Sequence, residues 1–208
     1  MDNENPASNR KYTITVLVSL FLLCALLVNM VDWLTRDRIA INARDHRFRI
    51  LEQILTIPFD NNIHEDVIEI TDPGYFLTTR PVQVFRARNH GMPVALIMMP
   101  VIARGYSGNI QLLIGVDYEG RILSVRALDH NETEGFGDQI EITESSWILS
   151  FDNLSLASTG QEDWMVRSDG GTFDVMSGAT ITSRGVINSV HKALEYFQAN
   201  RDTLFTQN

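Results

Sequence analysis

Four hydroxyls gather within seven residues near the end of the chain, in Ser177-Gly-Ala-Thr180-Ile-Thr182-Ser183. They sit where a strand-like run, Thr172 to Met176, is expected to give way to a helix over about Ser183 to Ala199. Gly178 and Ala179 leave the backbone thinly covered at that turn. The first N–H groups of a helix have no intrahelical acceptor and carry the positive end of the macrodipole, so such a place suits a phosphate. A Ser/Thr-rich N-cap explains the same spacing without any ligand. Arg184, one residue further on, has two readings, a phosphate contact or a solvent-facing side chain. Upstream, Asp129, His130 and Glu132 offer an acid/base pair or part of a metal site. No further His or Cys cluster supports them, so no metal is expected there. The default for His130 is a loop residue with local hydrogen bonds, and for Tyr106 a packed aromatic whose hydroxyl is satisfied.

The elements that would hold these residues can be read from periodicity. Val67–Thr71, Val82–Arg88, Val94–Met99, Ile110–Val116 and Arg121–Leu128 have the composition of strands, with turns at Asn89-His-Gly91 and Asp117-Tyr-Glu-Gly120. Trp147–Phe151 and Trp164–Ser168 read as two weaker strands. In the last helix Val186, Val190, Ala193, Leu194 and Phe197 share a face that should pack on a sheet. The fold class expected is α+β, an antiparallel sheet with packed helices.

Before this domain, Tyr12 to Val31 runs for twenty residues without a charge, which is enough to cross a bilayer. Small residues suited to signal cleavage do not follow the apolar core, and Leu22-Leu23 precede Cys24 where a lipoprotein site needs small ones. The expected organisation is a tail over 1–11, a single uncleaved span over 12–31, a helical stalk over 32–57 and one domain over 58–208. Five arginines follow the span (Arg36, Arg38, Arg44, Arg47 and Arg49) and two bases precede it. That count alone would keep the domain in the cytoplasm, although the rule weakens for long translocated domains. The arginines are also placed to meet anionic lipid headgroups. The span carries no charged residue that would mark an ion path.

The 208-residue chain is 44% apolar and 21% charged, the composition of an ordinary globular domain once the span is set aside. Its net charge of −9, with the negative excess after residue 57, argues against nucleic acid as a partner. A single cysteine, Cys24, excludes an internal disulfide framework and an iron–sulfur cluster held by this chain alone. If the protein carries electrons, an organic cofactor must hold them.

Asp174-Val-Met-Ser-Gly-Ala-Thr180 resembles the flavinylation motif of FMN-binding domains in the Rnf G subunit and the Nqr C subunit. Gly105-Tyr-Ser-Gly108 resembles the family's glycine-rich segment, and His130-Asn-Glu-Thr-Glu-Gly-Phe-Gly-Asp138 its His-x-Glu-Thr-Pro-Gly-Leu-Gly run. The three occur in the family's order. The resemblance implies one FMN bonded through its phosphate to the Thr180 hydroxyl, with Asp174, Ser177, Gly178 and Ala179 as the segment read by a flavin transferase. It implies ring contacts from Tyr106, Ser107, Gly108, Glu132, Thr133, Gly135, Phe136 and Gly137. It also implies a bacterial inner-membrane subunit with its domain on the periplasmic side, relaying electrons among the other membrane subunits of an ion-translocating ferredoxin:NAD oxidoreductase. Two positions depart from the pattern: Glu134 stands for Pro, and Phe136 for Leu. A charge at Glu134 close to a flavin would lower its potential, and a Phe136 ring could stack on it. The alternatives are an Nqr C-type subunit of a sodium-translocating NADH:quinone reductase, or a membrane-anchored scaffold with no redox role.

Overall fold

The computed structural model describes residues 14, 16–35 and 54–206. The chain divides into two units, Met1–Ile50 and Leu51–Asn208. In the first, helix α1 (Val16–Thr35) is long and apolar enough to cross a membrane, and its large apolar side chains are exposed. At 1.5 Å per residue its twenty residues span about 30 Å, the thickness of a bilayer's hydrocarbon. It runs past Val31 into residues 32–35, the start of the expected helical stalk. The tail over 1–11 and the five stalk arginines lie outside the described residues, as does most of the stalk itself.

The second unit is built on a five-stranded antiparallel meander, β1 (Val67–Ile70), β2 (Val82–Asn89), β3 (Met92–Arg104), β4 (Asn109–Asp117) and β5 (Ile122–Asp129), whose spatial order is the chain order. Each hairpin has a local cause. His90 and Gly91 both take positive φ, 51° and 77°, the geometry that matches a two-residue loop to strand twist. The Asp117 carboxylate accepts from the Arg121 N–H at 2.7 Å and from its Nε at 3.0 Å, closing the β4–β5 turn. Strand β3 runs well beyond the expected Val94–Met99. Pro100 brings no N–H to the ladder, and the register with β4 shifts between Met98 and Val101 to accommodate it.

Leu96, Met98, Leu112 and Ile114 face one side of the sheet, where α3 (Thr180–Thr206) supplies Val186, Val190, Ala193, Leu194 and Phe197 to a common core. The helix comes close because residue 185 is glycine; a Cβ there would lie 1.9 Å from the Arg104 carbonyl oxygen. Ser189 Oγ donates to the Ile102 carbonyl at 3.1 Å, tying the same stretch to β3. Phe85, Ile97 and Leu113 lie on the other face and are also buried, with Ile54 reaching Gly115 there.

Helix α3 is longer than its periodicity suggested, starting at Thr180 and ending at Thr206. Arg88 Nη2 donates to the Phe205 carbonyl at 2.8 Å and Arg86 Nη1 to that of Leu204 at 3.4 Å. These contacts place positive charge at the negative end of the helix. Both arginines also pair with Asp66 on the other side. A further helical turn, α2 (Pro73–Phe76), is N-capped by Asp72 and packs Phe76 edge-on to Tyr196.

Three expected strands are absent. Trp147–Phe151 is a 3-10 helix, with Ile148 and Phe151 buried three residues apart, the period of that helix. Trp164–Ser168 contributes a single bridge residue, Val166, and then a 3-10 turn at Arg167–Asp169. Thr172–Met176 pairs only through Phe173, parallel to Val166. Aromatic and β-branched residues in these runs are there for burial: Phe151, Trp164, Val166 and Phe173 all join the core beneath the sheet. Propensity reads the side chains, and burial without a ladder satisfies the same preference.

Candidate functional site

Three connections meet at one end of the sheet: the β3–β4 loop at 105–108, the segment after β5 at 130–137, and the turn that opens α3. Each is shaped by its own hydrogen bonds. The Gly105 N–H donates to the Gly108 carbonyl at 2.8 Å, closing the first loop, and Gly108 takes φ 147°. The N–H groups of Phe136 and Gly137 both donate to the Thr133 carbonyl, and that of Gly135 donates to Asp138 Oδ2 at 2.9 Å. Those bonds order the loop although Glu134 stands where a proline was expected. In the third, Ser183 Oγ accepts from the Met176 N–H and donates to the Ala179 carbonyl, both at 3.0 Å. Gln139 Nε2 donates to the carbonyls of Phe136, at 2.6 Å, and Ser177, at 3.1 Å, linking the second connection to the third.

A cleft of about 510 Å³ opens between them. Tyr106 lines it from the first loop, Glu132, Thr133, Phe136 and Gly137 from the second, and residues 178–182 from the third. Tyr106, Phe136 and Ile181 are more than half exposed, so the cleft has apolar walls open to solvent. The Phe136 ring lies against Gly178, where a Cβ would stand 2.4 Å from Cδ1, and Gly178 has φ 73°. That position therefore takes glycine on two independent grounds.

The four hydroxyls at the helix start separate here. Those of Thr182 and Ser183 are buried and hydrogen-bonded, and that of Ser177 is exposed outside the cleft lining. The Thr180 hydroxyl lines the cleft and makes no hydrogen bond among the described residues. The backbone N–H groups of Thr180, Ile181 and Thr182 likewise have no acceptor among the described residues. A phosphate beside this hydroxyl would meet free donors at the positive end of a 27-residue helix.

Glu132 is only 9% exposed. Its Oε1 accepts from the Ser107 N–H at 2.8 Å, and its Oε2 from the Tyr106 N–H at 3.3 Å and from the Thr182 hydroxyl. A Cβ at Gly105 would lie 2.3 Å from Oε1 and one at Gly137 2.5 Å from Oε2, so both glycines make room for the carboxylate. Thr182 and Gln139 were not among the residues predicted for the site. The hydroxyl of the first and the position of the second just past the motif run were the only signals available.

The other predicted residues lie around the cleft. Asp174 is exposed, ion-paired with Arg167 at 3.1 Å, and its carbonyl accepts from Trp147 Nε1 at 2.7 Å. Ser107, Gly108 and Gly135 shape the loops without lining the cavity. Arg184 forms a two-point pair with Asp169, at 2.6 and 2.7 Å, which holds the Asp169 carboxyl below its ordinary range. Its guanidinium is therefore committed to Asp169 and is not in the cleft lining. Glu134 lies outside the cleft lining, in an adjoining acidic hollow with His130, Asp138, Glu141 and Glu144 that shares Glu132 with the cleft. His130 Nδ1 accepts from the Glu132 N–H at 3.1 Å, which selects the tautomer whose Nε2–H donates to Glu141 at 2.7 Å. Among the described residues no group of three His, Cys, Asp or Glu is arranged to hold a metal. A further cavity of about 330 Å³, beside Gly120, Phe197 and Arg201, takes in none of the predicted site residues.

Residues 105–195 match the family model of the FMN-binding domain, and that stretch contains all three converging connections. The class is thus a protein with one N-terminal helix apolar enough to cross a membrane and an α+β FMN-binding domain. Over 191 residues, 91% of this chain and 89% of the relative, it is 42% identical to the G subunit of the ion-translocating oxidoreductase complex of Pseudomonas aeruginosa (strain UCBPP-PA14). The protein of the same name from Shewanella loihica is 39% identical over 92% of this chain and 91% of its own. That from Vibrio cholerae is 33% identical over 87% of each. The chain belongs to the family of G subunits of ion-translocating oxidoreductase complexes, the Rnf type.

Proposed function

We propose that this protein is the electron-relaying G subunit of an Rnf-type ion-translocating complex, carrying one FMN as a phosphoester of Thr180. The observation that carries this reading is Thr180: it lines the cleft, and among the described residues its hydroxyl has no hydrogen-bond partner and the N–H groups of 180–182 have no acceptor. The cleft suits the group. Its volume falls within the range of about 300–1,000 Å³ usual for small-molecule sites, and Tyr106, Phe136 and Ile181 offer apolar surface to a flat ring. No Lys or Arg is among the residues lining it, so the backbone donors and the covalent bond must retain the phosphate. When bound, the flavin supplies one- and two-electron chemistry, as a relay between unlike carriers requires.

Attachment is done to this chain by a transferase. The Thr180 oxygen attacks the flavin-side phosphorus of FAD, the Oγ–P bond forms as the pyrophosphate P–O bond breaks, AMP leaves, and the hydroxyl proton passes to a base. The exposed Asp174 belongs to the segment the enzyme would read. The domain is assigned to the periplasmic side, with α1 as its membrane anchor among lipid and the complex's other membrane subunits. A compartment without a free flavin pool gives covalent attachment its purpose.

The test is mass spectrometry of the full chain produced with an active transferase, together with ultraviolet fluorescence of its denatured gel band. The wild type should carry one FMN on the peptide containing Thr180, and Thr180→Ala should be unmodified and dark. A dark, unmodified wild type would leave a membrane-tethered scaffold instead.

A further inference from the structure

We infer that Glu132 is a positioning residue: it clamps the β3–β4 loop to the first turn of α3 and thereby presents the Thr180 hydroxyl for modification. This rests on the flavin reading above and assigns Glu132 a role other than ring contact. A carboxylate accepts only, and here three donors from two separate segments converge on it: the N–H groups of Tyr106 and Ser107, and the hydroxyl of Thr182. Thr182 lies two residues after Thr180 in the same helical turn, so fixing its side chain fixes that turn's rotation about the helix axis. The Tyr106 N–H also points to Thr182 Oγ1 at 3.4 Å, which closes the arrangement on itself.

The surroundings are fitted to this carboxylate. Gly105 and Gly137 approach from opposite oxygens, at distances no side chain would permit. The Glu132 backbone is held in turn by His130 Nδ1. Glu132 thus lies at the junction of all three connections. Its carboxylate is buried and engaged on both oxygens, while the neighbouring Thr180 hydroxyl is left without a partner among the described residues. Supporting side chains of this kind set the geometry of the group that reacts, and a displacement of about 1 Å can cost about a hundredfold in rate.

Glu132→Gln keeps the shape but turns an NH₂ toward donors. With the full chain and purified transferase, it should lower the maximal rate of FMN transfer about tenfold or more, leaving the KM for FAD unchanged. Thr182→Val should lower it less, and the double variant should be no slower than Glu132→Gln alone, because both break one clamp. Amide exchange on the unmodified chain gives a readout free of flavin. In Glu132→Gln the peptides covering 105–108 and 180–183 should exchange about tenfold faster, with β4 and β5 unchanged. Faster exchange throughout would mean general unfolding, and a wild-type transfer rate, unchanged exchange at 105–108, or multiplying single effects would each overturn the clamp. A wild type that accepts no flavin from a transferase active on another acceptor sinks the flavin reading. The exchange result then still decides whether Glu132 joins the two segments.

Discussion

The ring of Phe136 rests on the bare Cα of Gly178, joining the loop after β5 to the turn in front of α3. Gly178 has φ 73°, so an alanine there meets backbone strain as well as the ring. Gly178→Ala should destabilise the domain by about 1–2 kcal/mol and slow flavin loading. Because Phe136 is 52% exposed, its ring can swing away, and adding Phe136→Ala should recover part of the loss. Chemical denaturation of the single and double variants measures that coupling; strict additivity would show that the ring contact costs nothing.

Gly185 presents the opposite case, ordinary helical backbone with no space. A Cβ would stand 1.9 Å from the Arg104 carbonyl, and backbone cannot swing away as a side chain can. Gly185→Ala should therefore push α3 off β3 and cost about 1–3 kcal/mol. For a domain of this size, that lowers Tm by about 2–4 °C per kcal/mol. An unchanged Tm would contradict the close crossing.

Arg184 is held by Asp169 through two short bonds on the solvent-facing side of the helix start. Arg184→Gln should leave FMN loading within about twofold of wild type, since exposed pairs contribute little to the fold. A severe loss of loading at normal stability would mean that the guanidinium leaves Asp169 to meet the phosphate.

His191 stacks on Trp164, ring centroids 5.2 Å apart and 17° from parallel. Burial pushes its pKa below the ordinary 6.5, with Glu195 opposing that shift from 3.9 Å. The unfolded chain therefore binds this proton more tightly than the folded one. Stability should decline as pH falls through 6.5, and the decline ends once the folded ring is itself protonated. His191→Phe keeps a ring on Trp164 and should flatten this part of the profile. Thermal melts of wild type and variant from about pH 5 to 8 isolate the difference; parallel curves would remove His191 as the cause.

Much of this molecule is local in origin. An uncharged run of twenty residues marks a helix apolar enough to cross a membrane, short apolar and β-branched runs mark the five strands, and the glycine turns at 91 and 120 mark two hairpins. The three motif segments were legible as well, because glycine and hydroxyl residues mark turns and helix starts by their own backbone chemistry. Periodicity misled in Trp147–Phe151, Trp164–Ser168 and Thr172–Met176, where large side chains serve a shared core rather than a ladder.

Tertiary structure decided how the segments meet. Residue type alone does not separate Thr180 from Thr182, and only the motif resemblance marked the first; helix rotation against β3 buries the Thr182 hydroxyl on Glu132 and leaves Thr180 in the lining of the cleft. In the same way, Arg184, four residues past one motif, goes to Asp169, and Glu134, inside another, goes to a neighbouring hollow. Sequence specifies which groups are available near a turn. Their partners come from elements as much as 76 residues away, and only the packing of helix on sheet sets those distances.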